Sequence, residues 1–419
     1  MKQIKNKNSF IVNLSLCGFF ILYPFLALLV AFFFIINGEK RTFPIVIISL
    51  WFGLYGYTFI PGEGFDFVRH LEMYDSFSMM SWELFFELMK LSLSFDNLFS
   101  YLYFFFGSLG FTNQIVGFIA AFPFYLLLLL TINNVVNRYI KTQHEREKGI
   151  IFFILFLMSF SLTVPWIFSG IRNANAVMVL LYLISYKDFK YSTFRYKILF
   201  IIPVLLHFSL LPIVVLFVLS QLIKNNSRNL LFWIMVSLFP LLNVLLLGLG
   251  KILGIFGRIG DYLGQKVESY LVEGVVVGNY TGAGFRYYLV IIPLVIISFF
   301  ICLKLKRIKL GVTGFEAFLR FFILYEGYMI LVSNTYLFSR AHILFVYLVS
   351  IVLVVLYYNN LYPKFKSMLG FLLFYVCFNF FPSTIMGKEY MTYNSVIFQP
   401  NIFEIVNTKV YEYEYWKSK

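Results

Sequence analysis

Long apolar runs recur along this chain, separated by short polar loops, and within each run the hydrophobic positions are continuous rather than alternating. Residues 45–60, 151–164, 230–249 and 341–356 are examples. Each approaches the roughly 20 residues needed to cross about 30 Å of hydrocarbon. In that solvent every backbone amide must find a partner inside the protein, which leaves helices or closed barrels as spanning elements. Continuous runs select helices, and no ten-residue alternation of the barrel kind occurs. The pattern predicts an all-α polytopic membrane protein with about ten transmembrane helices. The first run, 10–36, follows Lys2, Lys5 and Lys7. It is too long for the apolar part of a signal peptide and lacks a small-residue cleavage site, so it is read as a retained first span.

Clusters of basic residues at 40–41, 138–148, 187–197, 224–228, 304–309 and 364–366 mark cytoplasmic loops. Parity then places loops 61–98 and 250–284 outside, within a single polytopic membrane domain 1–381 followed by an external tail 382–419. Loop 61–98 carries Glu63, Asp66, Glu72, Asp75, Glu83, Glu87 and Asp96 against Arg69 and Lys90, an unusual balance for a cytoplasmic loop. Residues 99–111 are too short to span and aromatic enough to lie at the outer interface. Spans 150–167 and 171–186 form a hairpin whose outer tip puts Arg172 at the external mouth. Basic clusters flank 198–223 on both sides, so this stretch must pass an even number of times. At about 26 residues, roughly 39 Å at helical rise, it cannot make two full spans. A re-entrant pair broken near Pro203 and Pro212 fits, with His207 and Ser209 at its tip. One conflict stands: the scheme puts Lys2, Lys5 and Lys7 outside.

Composition agrees with the pattern. With 60% hydrophobic and 13% charged residues over 419 positions, a water-soluble globule is excluded. The formal charge of +14 is scattered over interhelical loops and forms no basic face, so nucleic acid is not the partner. Cys17, Cys302 and Cys377 lie in apolar runs without metal-ligand spacing. No Walker loop, dinucleotide fingerprint or metal triad occurs. Chemistry would therefore run without nucleotide, cofactor or metal, on a substrate activated beforehand.

Parity gathers Asp66, Arg69, His70, Arg172, His207, Arg258, Arg286 and Arg340 on the outer side, of which Arg258, in a glycine-rich stretch, reads as solvated. Ionisable residues at membrane depth are functional candidates by default, and the arginine fork matches phosphate oxygens. Several arginines converging on one place imply a multiply charged anion such as a pyrophosphate. Each residue also has a plainer reading. Arg340 serves equally as a headgroup anchor at a span end. Arg172 has little apolar bulk around it to excuse it, and a helix starting there adds its positive end. Arg286 lies between these cases. His207, among leucines, is either a buried neutral histidine or a proton acceptor. Asp66 is either a turn or cap residue or a base toward a hydroxyl. Glu316 and Arg320 have the spacing of a helical ion pair.

Four segments together resemble the O-antigen polymerase (Wzy-type) group, specifically its EpsG-like branch. Gly64-Phe65-Asp66-Phe67-Val68-Arg69-His70 resembles the external Gly-x-Asp segment of that branch. Ser169-Gly170-Ile171-Arg172-Asn173 resembles its Gly-Ile-Arg motif, His207-Phe208-Ser209 its His-x-Ser/Thr element, and Ser339-Arg340 its late Ser-Arg. The chain departs at His70, where the family usually has tyrosine, and at Asn173-Ala174-Asn175. The resemblance implies a GT-C-like arrangement of membrane helices in a bacterial inner (cytoplasmic) membrane. It implies a glycosyltransferase that moves a growing glycan from undecaprenyl pyrophosphate onto a new lipid-linked oligosaccharide repeat unit, building O-antigen, capsular polysaccharide or exopolysaccharide. A chain-length regulator (Wzz-type co-polymerase) would be its partner. Arg172 and Arg340, assisted by Arg286, would hold the pyrophosphate, and His207 or Asp66 would accept the acceptor proton. Arg69 and His70 would meet the acceptor. A flippase of the same lipid-linked glycan, or an O-antigen ligase, is the alternative.

Overall fold

The computed structural model describes residues 2–38, 41–61, 66–92, 97–160, 167–168, 170–222, 264–265, 315–332, 336–359, 391–392, 398–399 and 401–408. The described residues are helical apart from loops and one two-residue strand pair, β1 (Ile60–Pro61) with β2 (Met391–Thr392). The chain divides into two compact units. The first is Met1–Phe85, Leu98–Tyr186 and Val376–Lys419, and the second is Phe86–Asn97 and Lys187–Tyr375.

In the first unit the run expected as one span is two helices, α1 (Lys2–Leu22) and α2 (Pro24–Ile36). Pro24 opens the second helix and lacks the N–H that would continue the first, so the axis breaks at Tyr23. Next come α3 (Thr42–Tyr57), α4 (Asp66–Ser78), α5 (Trp82–Leu91, of which residues 86–91 belong to the second unit), α6 (Leu98–Ser108), α7 (Ile115–Tyr139), α8 (Glu145–Phe160) and α9 (Ile171–Tyr186). The expected external loop 61–98 thus contains α4 and α5. On α4 the buried positions Phe67, His70, Leu71, Tyr74 and Phe77 follow the helical period.

A close glycine contact and a set of hydrogen bonds organise these helices. Gly56 of α3 and Gly117 of α7 meet backbone to backbone, and a Cβ on either would overlap the carbonyl oxygen of the other. Small residues at a helix crossing allow this approach, which serves in lipid where no hydrophobic drive exists between helices. At one end of the pair Gln114 Nε2 donates to the Tyr57 carbonyl (3.2 Å). At the other end buried Arg41 donates to Asn137 Oδ1 (3.2 Å) and to the carbonyl and Oε2 of Glu145 (3.1 and 3.2 Å). The two helices are therefore antiparallel, and Arg41 ties the start of α3 to the end of α7 and the start of α8. Asn175 Nδ2 of α9 donates to the Ala120 carbonyl (3.1 Å) in the turn before Pro123, and Arg138 of α7 donates to the Ser185 carbonyl (2.5 Å). Hence α9 runs parallel to α7. The C-terminal segment docks on this unit: Phe398 packs edge-on against Phe25 (5.1 Å), and Gln114 also donates to the Thr408 carbonyl (3.1 Å).

In the second unit the stretch 194–222 is segmented: α10 (Phe194–Ile198), a 3-10 turn 199–201, α11 (Ile202–Leu206), a second 3-10 turn 208–210 and α12 (Leu211–Leu222). The break falls at His207, whose backbone is extended (φ −154°, ψ 115°). Beyond it lie α13 (Phe315–Leu331) and α14 (Tyr336–Tyr358), with α15 (Ile402–Asn407) in the docked C-terminal segment of the first unit. Buried Arg320 of α13 donates its Nε to the Ser220 carbonyl of α12 (2.9 Å), and Tyr325 donates to the Ala341 carbonyl of α14 (2.8 Å). Among the described residues one helix, Ile115–Tyr139, is long and apolar enough to cross a membrane by length and composition alone. Shorter apolar helices include Pro24–Ile36, Thr42–Tyr57, Ile171–Tyr186 and Ile343–Tyr358. The apolar run 230–249 lies outside the described residues, and so does the expected external loop 250–284 apart from residues 264–265.

Candidate functional site

A polar cluster forms in the first unit where α4, α6 and α9 meet, and three phenylalanines build its floor. Phe59, after α3, stacks on Phe168 at 3.9 Å, and Phe67 in the first turn of α4 meets both edge-on at 5.4 Å. All three are buried. Aromatic pairs of this kind contribute about 0.5–1.5 kcal/mol each beyond their buried area. Because Phe168 lies just ahead of α9 and Phe67 follows Asp66, this trio sets the first turns of α4 and α9 side by side.

Asp66 opens α4 with its side chain one-quarter exposed. Its Oδ1 lies 2.6 Å from an Arg69 Nη, and its Oδ2 faces Nε2 of His70 at 3.6 Å. The Arg69 side chain is 61% exposed, so that pair is worth at most about 1 kcal/mol and does little to hold the fold. At 3.6 Å the His70 contact is longer than a hydrogen bond and acts as an oriented charge–dipole approach. His70 is only 2% exposed. Its Nδ1 lies 3.0 Å from the hydroxyl of Tyr103 on α6, which is wholly buried.

Burial is the main cause that pushes His70 below the ordinary imidazole range. Asp66 pulls it up by less, and Arg172 and Arg69 push it further down. Tyr103 is pushed well up, chiefly by burial, so it keeps its proton. Arg172, second residue of α9, is part-buried, and its charge is felt by both His70 and Tyr103. The arrangement offers one carboxylate, two guanidinium groups and a neutral imidazole–phenol pair. It can hold an anion at the arginines and accept a proton at Asp66. Among the described residues no group of three or more His, Cys, Asp or Glu is placed to hold a metal ion.

The structure thus brings together Asp66, Arg69, His70 and Arg172. His207 belongs to the second unit, is buried, and lies with its Nδ1 2.6 Å from Ser209 Oγ. The His-x-Ser element is therefore a local hydrogen bond across the helix break. Arg340 lies on α14, and Arg286 is outside the described residues. Sequence reasoning missed Tyr103, taken there as part of an aromatic interfacial run. The alternation of buried Phe99, Tyr103 and Phe104 with exposed Tyr101 and Phe105 is the helical signal that separates it from its neighbours. Asn175 was noted as a departure from the resembling motif, and its amide joins α9 to α7.

A helical bundle with a charged cluster at the junction of three helices defines the class: an integral membrane protein whose polar side chains meet at one end of its first unit. The chain belongs to the EpsG family, whose model matches residues 40–395, a family of polysaccharide polymerase-like proteins. No curated protein matches the chain, and no solved structure does.

Proposed function

We propose that this protein polymerises undecaprenyl-pyrophosphate-linked oligosaccharide repeat units into O-antigen, capsular polysaccharide or exopolysaccharide, by glycosyl transfer on the external face of a bacterial cytoplasmic membrane. One observation carries the reading: Arg172 and Asp66, far apart in sequence, converge with Arg69 in one polar cluster beside His70 and Tyr103. Family membership supplies the chemical class. In the reaction, the bond from the donor sugar to pyrophosphate breaks as the acceptor hydroxyl attacks. Arg172 takes up charge on the departing pyrophosphate, with Arg340 and Arg286 assisting. Asp66 accepts the hydroxyl proton. Its part-exposed carboxylate favours it over His207, which is buried against Ser209.

The helix directions support the assignment of faces. Arg41, Asn137 and Glu145 meet at one end of the first unit, and all lie in or beside clusters read as cytoplasmic. Tyr57, Gln114 and Thr408 meet at the opposite end, where β1 pairs with β2. The Asp66 cluster follows that second end. A GT-C-like fold of about ten spans and a chain-length regulator as partner belong to the same proposal.

The test is the banding pattern of surface glycan in a strain deleted for this gene and complemented with wild type or Arg172→Ala at equal protein level. The polymer ladder should be lost while a single repeat unit still reaches its final acceptor, with polymer formation down on the order of 10²-fold or more. Full-length polymer from Arg172→Ala would remove the assignment. Loss of even the single repeat on deletion would shift the protein to a flippase or a ligase.

A further inference from the structure

Tyr103 has no place in the motif set, yet its hydroxyl meets His70 in the interior (3.0 Å to Nδ1). Fully buried, the phenol retains its proton and can donate it to Nδ1 or accept from Nδ1–H; the far side of the ring favours the first, with Nδ1 of His70 as the acceptor. The single proton of the neutral ring then sits on Nε2, the nitrogen that faces Oδ2 of Asp66 at 3.6 Å. The opposite tautomer would aim the Nε2 lone pair at a carboxylate oxygen and be repelled. Among the described residues the groups facing His70 are Asp66 and Arg69 on α4, Tyr103 on α6 and Arg172 on α9. The two arginines oppose a second proton on the ring.

We propose that Tyr103 is a positioning residue: through the His70 ring it aims an N–H at Oδ2 of Asp66 and so fixes the carboxylate for proton acceptance. The proposal rests on the reading of Asp66 as the base in glycosyl transfer. Arg69 steers the other oxygen, Oδ1, at 2.6 Å. The carboxylate is thus held from two sides, by an exposed cation on its own helix and by a buried ring whose tautomer is set from a second helix. The 3.6 Å approach leaves room for the His70 contact to shorten when substrate arrives, as catalytic hydrogen bonds do.

The first measurement is nitrogen resonance of imidazole-labelled histidine in the full-length protein in lipid nanodiscs, with His70 assigned as the signal lost in His70→Gln. Wild type should show a neutral ring protonated at Nε2. Tyr103→Phe should give a mixture of tautomers, because the donor that holds Nδ1 as the acceptor is gone. An unchanged tautomer in Tyr103→Phe would overturn the proposal. The second measurement is polymer yield in cells. Tyr103→Phe should lower it by roughly tenfold or more in the wild-type background, as misplacement of a reacting group does. It should cost nothing further in His70→Gln, whose amide N–H stands in for Nε2–H. Equal loss in both backgrounds would assign Tyr103 to packing and defeat the proposal. The resonance needs no substrate: a locked tautomer in a protein whose deletion leaves polymer intact would overturn the assigned reaction and leave the lock standing.

Discussion

His70 and His207, both buried, are held in opposite ways. His207 finds its partner two residues away, in Ser209, and the pair sits in a break between short helices. His70 is an ordinary residue of a regular helix, and its nearest polar partner on another element, Tyr103, is 33 residues away. The first environment is local and would survive rearrangement of the surrounding helices. The second exists only while α4, α6 and α9 are packed together, so the chemistry at Asp66 depends on the whole first unit.

The largest test of this contrast is Gly117→Ala. Its Cβ would overlap the Gly56 carbonyl oxygen, and backbone cannot yield as a flexible side chain does, so a loss of about 3 kcal/mol is expected. Thermal unfolding in detergent should show it, and the tautomer of His70 should become mixed while the His207–Ser209 bond persists. A melt equal to wild type would mean that the helix crossing is looser than the glycine contact requires. Smaller is Ser209→Ala, which leaves the Nδ1 of buried His207 without this partner at a cost of about 1–2 kcal/mol. That loss should add simply to the loss from Tyr103→Phe. Strong coupling between the two would show that the local and packed sites are one.

The finest test is in pH. The folded-state pKa of His70 lies below the ordinary value of 6.5. As pH falls below about 6.5 the unfolded chain takes up a proton that the folded chain refuses, so stability falls with falling pH until the depressed folded value is passed, and then levels off. His70→Gln should lose that part of the slope in a series of melts between neutral and mildly acidic pH. A slope identical to wild type would mean that His70 is not buried in its neutral form.

Much of the local structure was legible in the residues. The stripe Phe67, His70, Leu71, Tyr74 and Phe77 is written at helical spacing, though acidic neighbours made 61–98 look like loop. Pro203 and Pro212 bracketed the break, which falls at His207. The run 10–36 misled because apolar content alone does not register a helix end, and Pro24 divides it. Among the described residues only Ile115–Tyr139 is both long and apolar enough to cross a membrane, although α1 and α14 are also more than 20 residues long.

The amino-acid sequence by itself determined that the chain is helical and lipid-solvated, where its helix break lies, and which few ionisable groups accompany its apolar mass. Those are consequences of hydrocarbon solvation and of backbone chemistry within a few residues. Only the tertiary structure decided that Arg172 would lie near the Asp66 cluster, that Tyr103 would meet His70, and that Asn175 would bridge to Ala120. Such pairings join distant segments through the glycine crossing and the aromatic trio. A side chain's partner across helices is set by close packing of surfaces, and no local periodicity encodes it.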